Sequence, residues 1–145
     1  MLHRIDPLLS PDLLHALAAM GHGDRLAVVD ANFPAASNAK RLLVLPGVMA
    51  PALLEAILSL LPIDSFEPDP IAVMQVVGDA AAVPEPVRDF TLILARYGLA
   101  PPARLERQAF YLAARDAYAI VQTGERRFYG NVLLTKGVLP PETAA

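Results

Sequence analysis

Residues 21–34 read Gly21-His22-Gly23-Asp24, then Arg25, then the apolar run Leu26-Ala27-Val28-Val29, then Asp30-Ala31-Asn32-Phe33-Pro34. Glycine on both sides of a histidine frees the backbone to turn sharply. The apolar run that follows predicts a short buried strand, and Asp30 comes where that strand ends. In open α/β sheets, ligands bind at the carboxyl ends of the strands. The stretch therefore predicts a tight turn, a buried strand and a carboxylate at a ligand-binding edge.

His22 and Asp30 are the residues of this stretch that can do chemistry. A histidine side chain gives or takes a proton near neutral pH, and the two groups could face one pocket. The alternative is purely structural. A Gly-His-Gly turn often only joins a helix to a strand, and an Asp after a strand is often only a turn former. The local pattern leaves both interpretations open.

The composition predicts one domain, residues 1–145, with more apolar residues than a soluble domain of this size usually has. Apolar residues make up 54% of the chain and the mean hydropathy is +0.40, above the roughly 45–50% apolar content usual for soluble domains. The longest uncharged run, Leu42 to Leu54, contains two prolines and falls short of the roughly 18 residues that a membrane span needs. A subunit interface would absorb the excess, so we expect a homo-oligomer and no membrane partner.

Several function classes are excluded or disfavoured by what the chain lacks. The N-terminal stretch around Arg4 has no apolar core typical of a signal peptide, so a cytoplasmic protein is expected. No cysteine is present, which excludes disulfides, thiolate nucleophiles and cysteine zinc sites. The net charge is −3 and the basic residues are scattered, so nucleic acid is not an expected partner.

Metal and nucleotide sites are not expected either. None of the three histidines pairs with another at a spacing of four residues, and His3 and His15 are expected to be solvated surface side chains. No Gly-rich nucleotide motif occurs in the chain. Gly78-Asp79 follows a predicted strand without a Gly-rich continuation, and is interpreted as a turn.

Helical and strand patterns alternate along the chain. The predicted elements are a helix opened by Ser10-Pro11-Asp12 and stopped by Gly21, a strand at 26–29, a loop at 31–38, a strand at 42–45, a helix from Ala50 to Leu61, a strand from Ile71 to Val77, a helix from Val87 to Tyr97, a helix from about Leu105 to Asp116, and strands at 118–121 and 132–134. This order predicts an α/β fold in a single domain, with a sheet covered by helices on both faces. The sheet is expected to be mostly parallel, with an antiparallel edge formed by a terminal hairpin.

A second chemical cluster lies at Phe128-Tyr129-Gly130-Asn131, before the last predicted strand. A phenol and a carboxamide both donate and accept hydrogen bonds, and an aromatic ring can stack on a sugar, so the cluster suits a carbohydrate. Arg107, near the start of the last helix, could bind hydroxyl oxygens with its fork of donors. The alternatives are a packed edge tyrosine, an asparagine that satisfies a turn, and a solvated arginine on a helix surface.

The motifs that carry a family resemblance are, in chain order, Ile5-Asp6-Pro7-Leu8-Leu9-Ser10-Pro11, Met20-Gly21-His22-Gly23-Asp24, Asp30-Ala31-Asn32-Phe33-Pro34, Phe110-Tyr111, Thr123-Gly124-Glu125, Tyr129-Gly130-Asn131 and Lys136-Gly137-Val138. Together they resemble the bacterial ribose pyranase and fucose mutarotase family over nearly the whole chain. The likeness favours the fucose branch, because Arg107 stands where that branch carries arginine and the ribose branch carries histidine. The stretch from Pro68 to Pro86, with Ala80-Ala81-Ala82, matches nothing in the family pattern, which bears on the substrate more than on the reaction.

The resemblance implies an isomerase, a mutarotase that interconverts the α and β anomers of a free sugar such as L-fucose without metal or cofactor. It also implies a ring-shaped homo-oligomer, a decamer, with active sites at subunit contacts. Carried over by position, His22 is the catalytic acid. The sugar-binding residues are Asp30, Arg107, Tyr129, Gly130 and Asn131.

Three other functions stay open at this point. A sugar-binding or regulatory protein would use the same contacts without turnover, and only His22 on its Gly-flanked turn favours chemistry. A ribose pyranase would differ in the sugar it accepts. An isomerase that moves a carbonyl between C1 and C2 would transfer a carbon-bound proton.

Overall fold

Helices and strands alternate along residues 1–143, the part of the chain that this computed structural model describes. The helices are α1 Pro11–Ala19, α2 Ala35–Asn38, α3 Ala50–Leu58, α4 Glu85–Arg96 and α5 Arg107–Asp116. The strands are β1 Arg25–Val29, β2 Leu42–Leu45, β3 Ile71–Met74, β4 Ala103–Leu105, β5 Ala119–Thr123 and β6 Val132–Thr135. Residues 144 and 145 of the predicted domain lie outside the described residues.

The six strands form one mixed sheet in the order β2-β5-β1-β6-β3-β4. The pairs β1 with β5, β2 with β5 and β3 with β4 are parallel. Strand β6 runs antiparallel to both of its neighbours, β1 and β3. The predicted single-domain α/β class, the mostly parallel sheet and the antiparallel terminal strand are confirmed.

The predicted hairpin of the last two strands is wrong. Strands β5 and β6 do not form a hairpin at an edge, because β1 lies between them and β6 sits inside the sheet. All four residues of β6 are buried, whereas the edge strand β2 is partly exposed throughout. A strand that is apolar on both faces loses most contact with water between two other strands. Residues 124–131 therefore form a crossing connection, not a tight turn.

Helices cover both faces of the sheet, as predicted. On one face α1, α3 and α4 pack against residues such as Leu26 and Val28. On the other face α2 and α5 pack against Ala27 and Val29. Alternate residues of β1 thus enter two different cores, which explains why the strand is apolar without interruption.

Local boundaries differ from the sequence prediction in four places. Helix α2 lies within the predicted loop, β4 precedes α5, and α3 ends at Leu58 instead of Leu61. Strand β3 ends at Met74 because the next residues turn: the Asp79 N–H donates to the Val76 carbonyl at 3.1 Å and Gly78 has φ +80°. The predicted cap of α1 is confirmed, since the Ser10 side chain accepts from the Leu13 N–H.

Candidate active site

Four of the predicted sugar-binding residues meet at one edge of the sheet. Asp30 follows β1, Arg107 opens α5 directly after β4, and Tyr129 and Asn131 precede β6. Because β6 is reversed, its amino end lies beside the carboxyl ends of β1 and β3. The four side chains line one cavity of about 290 Å³. That volume is at the small end of ligand pockets, which run from roughly 300 to 1,000 Å³.

The Asp30 carboxylate is buried and fixed in orientation. It is 5% exposed; one oxygen accepts from the Asn32 N–H at 3.0 Å and the other from the Gly130 N–H at 3.2 Å. Its own backbone N–H donates to the Asn131 side-chain oxygen at 2.9 Å. Burial raises the pKa of Asp30 above its ordinary value, and these hydrogen bonds only partly offset the effect. The carboxyl group is thereby held as a fixed hydrogen-bonding group at the cavity wall.

Tyr129 and Gly130 need unusual backbone space. Tyr129 has φ +61°, a left-handed conformation that costs a non-glycine residue about 1–3 kcal/mol and is found preferentially at functional sites. Its hydroxyl accepts from the Val77 N–H at 3.1 Å. A side chain at Gly130 would bring a Cβ within 2.7 Å of Glu125 Cγ, so the close packing against the buried Glu125 side chain requires glycine.

Beneath this loop, the buried Glu125 forms an ion pair with the partly exposed Arg127. Glu125 is fully buried, and its two oxygens accept from Arg127 Nε at 2.9 Å and an Arg127 terminal nitrogen at 3.1 Å. Arg127 also reaches Asp89 at 2.9 Å and Glu85 at 3.1 Å, both on α4. Burial alone would raise the pKa of Glu125, but the bonds to Arg127 outweigh it and the pKa is lowered. The pair ties the loop carrying Tyr129 to α4.

The cavity also has an apolar and aromatic side that the sequence prediction did not assign to the site. Phe33 packs edge-on against Tyr111, with ring centroids 5.2 Å apart. Phe33 and Tyr111 occur in quoted motifs, but nothing in the spacing shows that they face a ligand. The remaining lining residues of this kind are Met74, Val77 and Phe128, of which only Phe128 belongs to the second chemical cluster of the sequence analysis.

His22 lies at the other end of β1, which corrects the hypothesis that it shares a pocket with Asp30. The turn that carries it precedes the strand, whereas Asp30 follows it, and five strand residues span roughly 15 Å. Gly23 has φ +86° and its N–H donates to the Lys136 carbonyl at 2.9 Å. The Gly-flanked turn does join helix α1 to β1, as the structural interpretation had it.

His22 nevertheless has a partner of its own. Its Nε2 lies 2.9 Å from Oδ1 of Asp64, whose side chain is 2% exposed. The Phe66 ring is 5.4 Å away between centroids. The hydrogen bond with His22 lowers the pKa of Asp64. Sequence analysis missed Asp64 because it lies 42 residues from His22, with no motif spacing to connect the two.

Across residues 1–143, none of the helices is both long enough and apolar enough to cross a lipid bilayer.

The fold and the cavity define the class of protein. The pocket combines a fixed carboxylate, an arginine, a carboxamide and aromatic rings, which together can hydrogen-bond several hydroxyl groups and stack on a sugar ring, and it lies at the ligand edge of an α/β sheet. Residues 3–139 match the RbsD / FucU transport protein family. The chain belongs to this family.

Solved structures agree with that assignment. The fucose mutarotase from Streptococcus pneumoniae, solved in complex with L-fucose, is 40% identical with a TM-score of 0.91, covering 96% of this chain and 100% of its own. FucU from Bifidobacterium longum is 35% identical with a TM-score of 0.86, covering 93% and 98%. RbsD from Bacillus subtilis, complexed with D-ribose, is 22% identical with a TM-score of 0.73, covering 96% and 99%, and shows the shared fold alone.

Proposed function

We propose that this protein is a sugar mutarotase that interconverts the α and β anomers of a free monosaccharide, with L-fucose as the preferred sugar. The observation that carries the proposal is the cavity at the carboxyl edge of the sheet, formed by Asp30, Arg107, Tyr129 and Asn131. The fucose mutarotase that was solved with L-fucose is similar over nearly the whole chain, which supports this choice of sugar.

The reaction needs two proton transfers and no cofactor. The ring oxygen of the sugar receives a proton, the hydroxyl at C1 loses one, and the bond between C1 and the ring oxygen breaks to give the aldehyde. The bond between C1 and C2 then rotates, and ring closure reverses both transfers. General acid–base assistance contributes about 10²–10⁴-fold for such a step.

The residue roles combine side-chain chemistry with the roles that the family resemblance implies. Asp30 and Asn131 hold the sugar hydroxyls, Arg107 donates hydrogen bonds to oxygen, and His22 protonates the ring oxygen. The proton on the C1 hydroxyl goes to a water molecule, either directly or through Tyr129, which passes its own phenolic proton to water as it accepts the sugar's. The Tyr129 hydroxyl accepts the Val77 N–H, so its own proton stays available to a sugar.

His22 and the cavity lie at opposite ends of β1, so the proposal requires a second subunit. We propose a homo-oligomer in which the His22 turn of one subunit completes the cavity of the next. Exposed aromatic residues flank both surfaces, since Phe66 beside His22 and Phe128 beside the cavity are each 74% exposed. Such a contact joins two different surfaces, and repeated contacts of this kind close into a ring. Two stacked five-membered rings would give the decamer that the family resemblance implies.

The first experiment is proton NMR saturation transfer between the α and β anomeric signals of L-fucose, with and without the protein and with D-ribose in parallel. Exchange that depends on the protein and is faster for fucose is the expected result. Incorporation of solvent deuterium at C2 would instead indicate carbonyl isomerisation. Folded protein that enhances exchange of neither sugar would contradict the proposal.

Subunit mixing tests the shared site. His22→Ala and Asn131→Ala subunits are each expected to be inactive alone, because each lacks one half of the site. After they are dissociated and reassembled together in equal amounts, about a quarter of the sites should contain both intact halves and regain activity. No recovery in mixed oligomers, confirmed by mass spectrometry, would show that the site does not cross subunits.

A sugar-binding protein without turnover is the second candidate, and one observation favours it. The cavity is assembled within a single chain, while the histidine expected to transfer the proton lies outside it. Sugar binding without enhanced anomer exchange would support this candidate. A cytoplasmic location, expected from the sequence, stays a prediction that cell fractionation can check.

A further inference from the structure

A second cavity adjoins the sugar cavity at the same edge of the sheet. Its volume is about 410 Å³, larger than the 290 Å³ of the sugar cavity, and both Val77 and Arg107 line the two cavities. The rest of its wall comes from the connection that follows β3 and from Glu106, the residue before α5. The proposed mutarotase reaction does not use this space. A sugar bound in the first cavity therefore has a second cavity beside it, next to Arg107.

Hydrogen bonds hold the connection after β3 in place. The Gln75 N–H donates to a β4 carbonyl at 2.7 Å, and the Arg104 side chain, also on β4, donates to the Ala80 carbonyl at 3.0 Å. Between these two contacts, the Val77 N–H donates to the Tyr129 hydroxyl at 3.1 Å. Because both β4 and a sugar-binding residue hold the connection, the second cavity has a preformed wall, as ligand sites usually do.

The side chains around the second cavity suit a ligand that carries hydroxyl groups. Gln75 and Asp79 make no side-chain hydrogen bond in the part of the chain that the structure describes, so their polar atoms are available. One oxygen of Glu106 accepts two N–H groups of α5, at 2.9 and 3.2 Å, which leaves the other oxygen for a ligand. Arg107 adds a fork of N–H donors between the two cavities. A carboxamide, two carboxylates and a guanidinium together can donate to and accept from several hydroxyl groups.

The charge of the second cavity selects among such ligands. Two carboxylates, Asp79 and Glu106, stand against one guanidinium, Arg107. A ligand with a phosphate or carboxylate group would meet like charge, which disfavours its binding. A neutral sugar unit brings hydroxyl groups without that charge.

We propose that the second cavity is a subsite for a neutral sugar unit linked to the bound monosaccharide, so that the protein also interconverts the anomers of reducing disaccharides. The inference rests on the proposed function and widens its substrate class. The second unit is joined through a hydroxyl oxygen near Arg107, while C1 and the ring oxygen of the first sugar stay free, so both proton transfers are unchanged. The wall of the subsite belongs to the stretch from Pro68 to Pro86, which lies outside the family motifs.

The first test compares disaccharides with free L-fucose in the saturation-transfer measurement. The probes carry L-fucose at the reducing end and D-glucose linked to its O2, O3 or O4. At least one linkage is expected to show protein-dependent exchange with kcat/KM within about tenfold of that for L-fucose. Exchange of L-fucose without exchange of any of the three disaccharides would overturn the inference.

The second test fills the subsite. Ala80→Trp places a large side chain in the second cavity, so exchange of the accepted disaccharide should fall by about tenfold or more, while that of L-fucose stays within about twofold of the wild type. Ala81→Trp is the matched control, because Ala81 is equally exposed but does not line the cavity, and both sugars should react normally. An equal loss for both sugars in Ala80→Trp would show that this wall shapes only the sugar cavity, and would overturn the inference.

The third test concerns charge. Replacing D-glucose in the probe by D-glucuronic acid should weaken binding by about fivefold, since its carboxylate meets Asp79 and Glu106. Asp79→Asn should recover part of that loss and leave L-fucose exchange unchanged. Equal binding of the two disaccharides by the wild type would contradict a subsite for a neutral unit.

Calorimetry separates failure of the subsite from failure of the proposed function, because it measures binding without turnover. Disaccharide binding that Ala80→Trp removes and Ala81→Trp keeps would support the subsite even if no sugar showed enhanced exchange. Absence of L-fucose exchange would then refute the mutarotase reaction alone. L-fucose binding without binding of any disaccharide would refute the subsite alone.

Discussion

Strand β1 has a different environment at each end. Its carboxyl end leads to Asp30, a buried carboxylate that the chain's own backbone holds with two hydrogen bonds. Its amino end follows His22, a half-exposed ring that contacts Asp64 on one side. The two halves of the proposed site are therefore enclosed to different degrees. Within one chain the binding half is enclosed by its own residues, whereas the His22 side chain of the acid–base half is 46% exposed.

The two ends also differ in what controls ionisation. At Asp30 burial is the largest effect and raises the pKa of the carboxyl group. At Asp64 the hydrogen bond with His22 is the largest effect and lowers the pKa. A carboxylate without a cationic partner tends to retain its proton when buried, whereas one that meets an imidazole gives it up.

The largest effect is expected for His22→Ala, which should abolish proton transfer and leave sugar binding intact. Anomer exchange should fall by about 10²–10⁴-fold because the proton donor is lost, while L-fucose binding measured by calorimetry should persist. His15→Ala, an exposed histidine on α1, is the control and should behave like the wild type. Full exchange in His22→Ala would remove His22 from the mechanism.

Glu125→Gln tests the support beneath the cavity end. The substitution removes the buried carboxylate from this pair, while Arg127, 31% exposed, keeps Asp89 and Glu85. The free energy of unfolding in urea should therefore drop by about 2 kcal/mol, as for the loss of hydrogen bonds to a charged group. The control, Glu55→Gln, removes an exposed pair with Arg96 and should cost less than about 1 kcal/mol, although that contact is shorter, at 2.6 Å. Equal losses, measured at one protein concentration, would show that burial does not set the difference.

Tyr129→Phe should have a smaller effect confined to the cavity end. It removes the acceptor for the Val77 N–H and one hydroxyl at the cavity, so kcat/KM should fall about tenfold, or about 1.4 kcal/mol. Tyr97→Phe, at the end of α4, loses a long 3.4 Å hydrogen bond far from the cavity and should change nothing. A similar loss in both variants would point to a general effect on folding.

The smallest effects are expected in the pH dependence of stability, with opposite signs at the two ends of β1. Below the ordinary aspartate value of 3.8, unfolded chains bind a proton that native Asp64 does not, so Asp64 stabilises the fold above that value and loses its contribution as pH falls. Asp64→Asn should flatten the stability profile there. Above 3.8 native Asp30 retains a proton that the unfolded chain has lost, so its contribution falls as pH rises, and Asp30→Asn should steepen the profile.

Urea unfolding from pH 2 to 7 checks both slopes. Slopes that change in the same direction in the two variants would contradict the contrast between the ends of β1.

Much of the fold was predictable because hydrophobic patterns are local. The unbroken apolar run of β1 and the cap at Ser10 indicated a buried strand and a helix start, and both are confirmed. Strand order was not predictable in the same way. The apolar residues of β6 indicate burial on both faces, but they do not say that β1 and β3 would be the neighbours.

The candidate site was likewise predictable only in part. Asp30, Tyr129 and Asn131 stood out because each adjoins a strand end, and the topology brings them to one cavity. The contact between His22 and Asp64 could not be predicted, because the two residues lie 42 positions apart and no motif connects them. The aromatic side of the cavity was hidden for the same reason.

By itself, the sequence determined the α/β class, the buried strands and the identity of the reactive side chains, because helical and strand periodicity and side-chain chemistry are encoded within a few neighbouring residues. Only the tertiary structure decided that β6 enters the middle of the sheet, that His22 and Asp30 lie at opposite ends of β1, and that Asp64 binds His22. These are contacts between distant segments, and the physical reason they could not be predicted is that they depend on how all the apolar faces are buried at once.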